Sequence, residues 1–119
     1  WAASPEAQKE ICAEADKRYE EVFGHPPAAA PQPVVSMYKH TFCPSQLTVK
    51  QGAVVKFVNV DKRTSHSFWF RDAGRPESDR FFQGEGAAMV MDLPPGEHKY
   101  LCGPHWEQEG MIGTVTITP

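Results

Sequence analysis

The run Cys102-Gly103-Pro104-His105-Trp106-Glu107-Gln108-Glu109-Gly110-Met111 sets a thiol, an imidazole and a thioether on one short loop between two strand-like segments. Thiolate and thioether are soft donors that hold Cu(I), and imidazole suits both copper oxidation states. Two His and one Cys in a plane, with a long axial Met, describe the blue-copper electron-transfer site. The loop supplies one His, so a second is required. His66 heads the apolar run His66-Ser67-Phe68-Trp69-Phe70, after a strand-like segment and a short polar turn, and is the natural candidate. Taken singly, each donor has an ordinary explanation: a Cys near a strand end is often a small buried hydrophobe, a lone His a hydrogen-bonded residue, a Met before a Thr/Val run a core residue. The four together point to metal. Zinc competes, but a structural zinc site collects Cys and His in closed tetrahedral geometry and does not seek a thioether. A binuclear copper site would need a second Cys in the loop, and a multicopper oxidase further His clusters; the sequence has neither.

Around these donors the chain resembles the cupredoxin family. Val49 to Asp61 looks like the family's strand-Gly-strand element leading to the first His, Pro95 to His105, which reads PG-x-x-x-Y-x-C-x-x-H, looks like its Cys- and His-bearing element, and Gly110 to Val115 completes the pattern. The resemblance covers roughly residues 34 to 119. It implies an all-β, cupredoxin-like Greek-key sandwich and one type 1 copper ion. His66 and His105 would give the equatorial nitrogens, Cys102 the thiolate and colour, and Met111 the axial sulfur. Five residues separate His105 from Met111, one more than plastocyanin- and pseudoazurin-like loops usually have, so the axial bond is expected to differ and a green site becomes the expectation. Ser67 stands where many members carry an Asn that steadies the ligand loop, and the shorter side chain is expected to loosen that contact. His105 would turn its ring edge to solvent, with Pro104 and Trp106 around it; Trp106 reads equally as a docking residue or as packing over the site.

The same stretch reads as β without the resemblance. Met111, Gly113, Val115 and Ile117 alternate with Ile112, Thr114, Thr116 and Thr118, the period of a half-buried strand. Short runs at Val34 to Lys39, Leu47 to Lys50, Ala53 to Val60, His66 to Phe70, Ala87 to Met91 and Glu97 to Leu101 are divided by Gly, Pro or polar turns, which suggests a two-sheet sandwich. Phe70 to Gly86 is polar and reads as a long surface excursion with room for a short helix.

Residues 1 to 33 read differently. Ser4 can cap a helix with Pro5 at its first position, and Ala7, Ile11, Ala15, Tyr19, Val22 and Phe23 recur at helical spacing up to Gly24. His25 to Pro33 holds four prolines and three alanines, a stiff linker. The helix is therefore expected as an accessory to a complete domain at 34 to 119. With Cys102 assigned to metal, Cys12 and Cys43 are left as a disulfide pair suited to an oxidising compartment such as the periplasm; two reduced thiols, or a pair that loads copper, are the rivals.

At 119 residues the chain supports one small domain, and no apolar run approaches a membrane span. A net charge of −3 and the lack of a basic stripe argue against nucleic acid. The start at Trp1 is consistent with a processed form, and a monomer is expected. Two readings of function remain. One is a periplasmic copper-tolerance protein that binds or oxidises Cu(I), favoured by the helix with its Cys, the loop spacing, and the surplus groups Met37, His40, Met89, Met91, His25 and His98. The other is a dedicated electron shuttle to c-type cytochromes or a copper enzyme. The expected partner is thus a redox protein or a copper donor or acceptor. A copper oxidase is the weakest reading, because a single one-electron centre cannot reduce dioxygen to water.

Overall fold

Residues 4–119 are described by the computed structural model; the expectation attached to Trp1 lies outside the described residues. Helix α1 spans Pro5–Phe23. The strands are β1 Val34–Tyr38, β2 Thr41–Cys43, β3 Gln46–Lys50, β4 Val54–Asn59, β5 Gly86–Val90, β6 Gly96–Leu101 and β7 Ile112–Thr118, with a one-turn helix α2, Trp106–Glu109, between the last two. One sheet has the order β2-β1-β4-β5 and the other β3-β7-β6. Within them β1 runs parallel to β4 and β3 parallel to β7, and the other pairs are antiparallel.

The core between the sheets follows the period-2 pattern. Met111, Gly113, Val115 and Ile117 are the buried set of the last strand and its approach. They meet Val35, Met37, Phe42, Val55, Phe57, Phe70, Met91 and Tyr100, all essentially inaccessible. Met37 and Met91 are therefore core side chains, as methionine's adaptable shape allows, and do not form a surface array of soft donors. Gly113 is required by this packing: a Cβ there would fall 2.4 Å from the Tyr100 ring.

Strand β4 is covered on both faces. Val55 and Phe57 enter the main core, whereas Val58 and the following Val60 turn outward, and α1 lies against them. Ala15 and Tyr19 of the helix are buried there beside Val34 and Cys43, with Ile11, Cys12 and Phe23 at the margin. Ser4 caps the helix by accepting the Ala7 N–H at 3.2 Å, and Gly24 ends it with φ +81°. The Cys12–Cys43 disulfide ties α1 to β2 across a sequence separation of 31. Part of the linker departs from an extended form, making a 3-10 turn at Pro27–Ala29.

The run His66 to Phe70 is not a strand. His66 bridges Phe81 and Trp69 bridges Leu101, each as an isolated pair. The segment pairs first with the long excursion and then with β6 in the other sheet, so neither ladder extends. A 3-10 turn at Arg71–Ala73 is the short helix of that excursion.

Candidate metal centre

His66 is placed by the end of β4. Asn59, fully buried, donates its Nδ2 to the carbonyls of Thr64 at 3.0 Å and Phe81 at 2.7 Å and accepts the Asp61 N–H at 2.7 Å. This one amide closes the turn before His66 and pins it to the excursion. Asp61 completes the turn, with Oδ1 accepting the Arg63 N–H and Oδ2 the Lys39 N–H, each at 3.0 Å. Its Oδ2 also lies 3.2 Å from His66 Nε2. An ionised carboxylate only accepts, so Nε2 carries the proton and Nδ1 is left with a free lone pair.

Cys102 and His105 come from the β6–β7 connection. The Cys102 N–H donates to the Met111 carbonyl at 3.1 Å, and the Cys102 carbonyl accepts the N–H of both His105 and Trp106. The five-residue spacer is taken up as α2, closed by Gly110 at φ +66°, after which the Met111 N–H returns to the His105 carbonyl at 3.4 Å. Backbone pairing therefore sets Met111, fully buried, beside both loop donors. On the other side, Ser67 Oγ accepts the Gly103 N–H at 2.9 Å and donates to Glu77 Oε2 at 2.7 Å. The expected loosening at Ser67 does not occur, because Glu77 anchors the short hydroxyl from behind.

Cys102 Sγ lies 3.8 Å from His66 Nδ1 and 3.4 Å from His105 Nδ1, and the three donor atoms all fall within 4.8 Å of one another. A metal with bonds of about 2.0 Å to nitrogen and 2.3 Å to sulfur, at trigonal or tetrahedral angles, separates S and N by about 3.5–3.8 Å. The two sulfur–nitrogen distances match that span, so His66, Cys102 and His105 could hold a soft or borderline ion. The site's electrostatics suit a metal and not a free proton. Burial pulls His66 down to about 4, against the Asp61 hydrogen bond that raises it, so the imidazole is neutral. Burial also lowers His105, helped by His40. Burial pushes the Cys102 thiol up to about 11, with Glu77 adding to the rise and the N–H groups of Ser67 and His105 opposing it. Metal binding would therefore release a proton from Cys102.

His105 is half-buried, and its outer side is shared. The His40 ring lies 4.5 Å from it, centre to centre, and Thr64 Oγ1 is 3.5 Å from its Nε2. His40 stands 3.6 Å from Glu109 in α2. Trp106 is half-buried under the Arg71 guanidinium, 4.7 Å from the ring centre, so it both packs and borders the surface. His25 and His98 instead bond to carbonyls of nearby prolines, Pro26 and Pro94. Asp61, Glu77 and the position of His40 were not singled out from the sequence; charged residues in polar turns carry no motif.

A cupredoxin-like domain profile matches residues 11–117, and the chain belongs to that family. Among solved structures, a reduced Cu(I) form of a mutant amicyanin superposes with TM-score 0.64 at 23% identity, covering 76% of this chain and 85% of amicyanin's. A mutant fern plastocyanin gives 0.58 at 24% identity over 71% of this chain and 99% of its own. The copper-containing nitrite reductase of Thermus scotoductus SA-01 gives 0.61 at 22% identity, over 81% of this chain and 24% of the enzyme. At these identities the likeness establishes the fold: the two-sheet sandwich is the architecture the resemblance implied, and the N-terminal helix is the one expected from the spacing between Ser4 and Gly24.

Proposed function

We propose that this chain is a periplasmic type 1 copper protein of the copper-tolerance kind, resembling CopI, which captures Cu(I) and oxidises it by one-electron transfer. The carrying observation is the closeness of His66 Nδ1, Cys102 Sγ and His105 Nδ1, with buried Met111 held next to them by backbone hydrogen bonds. Copper bound there supplies reversible one-electron chemistry. The protein's residues supply the rest. Asp61 orients His66, α2 and Gly110 bring Met111 back to the loop, and the core of β6 and β7 excludes water from Cys102. In the tolerance role copper held by His66, Cys102, His105 and Met111 would supply a one-electron exchange, Cu(I) to Cu(II), with a redox-protein acceptor such as a c-type cytochrome taking the electron. The half-buried edge of His105, near His40 and Trp106, is the face for that acceptor. The Cys12–Cys43 disulfide supports an oxidising compartment, and no described helix is long and apolar enough to cross a membrane.

Copper titration of the apo-protein is expected to saturate at one ion with an intense visible charge-transfer band, lost in Cys102→Ser. Zinc binding in preference to copper, or a band that survives Cys102→Ser, would reject the centre. A deletion strain is expected to grow poorly in excess copper. A respiratory defect without copper stress would instead assign the chain to electron shuttling.

A further inference from the structure

Two carboxylates flank the donor cluster from different elements, and neither belongs to the ligand set. Asp61 is 7% exposed, and among the described residues its only side-chain ion-pair partner is His66. Among the described residues no Lys or Arg side chain forms an ion pair with it; exposed Lys39 acts on it only from a distance, and two backbone N–H groups and the His66 ring are what hold it. Glu77 approaches from the excursion. Its Oε2 takes the Ser67 hydroxyl, which in turn holds the Gly103 N–H next to Cys102. A Cβ on Gly103 would fall 2.0 Å from that carboxylate oxygen, so glycine at this position is what lets Glu77 reach the backbone beside the thiolate. Among the described residues Glu77 has Arg80 as its ion-pair partner, 3.9 Å away and largely exposed.

We propose that Asp61 and Glu77 bracket the copper site and bias it toward Cu(II), making it a low-potential centre that gives up its electron readily. The physical basis is charge. A site of two neutral imidazoles and one thiolate is neutral with Cu(I) and carries one positive charge with Cu(II). A nearby anion stabilises the second state relative to the first, and burial keeps solvent from screening it. Asp61 acts in a second way, because a carboxylate on the far nitrogen of a ligating His raises the ligand's basicity. Glu77, 30% exposed at its side chain, has the weaker effect of the same sign. This inference rests on the copper reading above and deepens it: a centre that takes Cu(I) and passes its electron onward is served by a bias toward Cu(II).

Potentiometric titration of the copper-loaded protein tests it, comparing the native chain with Asp61→Asn, Glu77→Gln and, as a control, Glu97→Gln at the far end of β6. Asp61→Asn is expected to shift the Cu(I)/Cu(II) balance at fixed potential at least tenfold toward Cu(I), a rise of about 59 mV for one electron. Glu77→Gln is expected to shift it less, in the same direction, and Glu97→Gln not at all. Shifts in both site variants no larger than the control's would overturn the proposal. Should Asp61→Asn fail to fold, Glu77→Gln decides alone by the same criterion. A second measurement separates this inference from the copper assignment. Co(II) and Ag(I) affinities of the apo-protein read the preference for a divalent over a monovalent ion without any redox step. Asp61→Asn is expected to lower the Co(II)/Ag(I) affinity ratio about tenfold, and an unchanged ratio overturns the bracket even where no coloured copper form exists.

Discussion

Removing the disulfide separates the part of the molecule that holds α1 from the part that would hold metal. In Cys12→Ser, Cys43→Ser the loop closed by the bridge, with its sequence separation of 31, is released in the unfolded chain. The chain-entropy treatment gives a loss of about 12 cal/mol/K, or roughly 3–4 kcal/mol at 25 °C. For a chain of this length, with an unfolding entropy of about 2.1 cal/mol/K per residue, that lowers the midpoint temperature by about 15 °C. The folded helix should stay docked, since Ala15 and Tyr19 remain buried against Val34, Val58 and Val60. None of His66, Cys102, His105 and Met111 lies on α1 or β2, so the visible spectrum of a copper-loaded sample should be unchanged. Urea unfolding of the apo-protein, followed by far-UV circular dichroism, gives the stability, and thiol counting on the denatured, unreduced native chain should find one free thiol. A loss below about 1 kcal/mol would refute the entropic reasoning. Loss of copper in the double variant would mean that these thiols serve the metal directly.

The apo-protein should weaken on mild acidification. His66 is held to about 4 in the folded state from an ordinary 6.5, so between those values the unfolded chain binds the extra proton. Stability is therefore full above about pH 6.5 and is lost as pH falls toward 4, by on the order of 3 kcal/mol. Asp61, lowered on balance by the Arg63 and Lys39 N–H groups and His66 despite its burial, loses its contribution only further down, through and below the ordinary carboxylate range. Denaturant midpoints measured at intervals from pH 7 to 4 check the first window, and a flat profile would contradict it. Gly86→Ala should destabilise by at least about 2 kcal/mol, because its Cβ would sit 2.0 Å from the Phe57 carbonyl oxygen in β4. A thermal midpoint within a degree or two of the native chain would disprove that contact.

The donor loop and the final strand were legible because their signals are local: Cys102, His105 and Met111 sit within one connection, and residues 111 to 118 alternate cleanly. Helix α1 was equally clear, from Ser4 and Pro5 at one end to Gly24 at the other. Strand β2 was not. It follows a turn in which Lys39 and His40 both have positive φ, at 46° and 58°, where Asn-Gly is the usual pair. A Lys-His turn announces no hairpin, so His40 could not be placed beside His105. His66 to Phe70 misled because an apolar run looks the same whether it pairs along one ladder or crosses between two. The hold of Glu77 on Ser67 was illegible for a different reason. It joins residues ten apart in a polar excursion, where spacing carries no information.

The outward-facing valines of β4 have a consequence for how this chain can vary. In a sandwich without α1 the outer face of that strand would meet water and favour polar side chains, yet here Val58 and Val60 are closed off by the helix. Any descendant that shed the helix would present an oily stripe ready to associate with a second copy or with unfolded chains. Loss of the N-terminal segment is thus tolerable only when Val34, Val58 and Val60 change with it, and the pairing of helix and strand should persist or vanish as a unit.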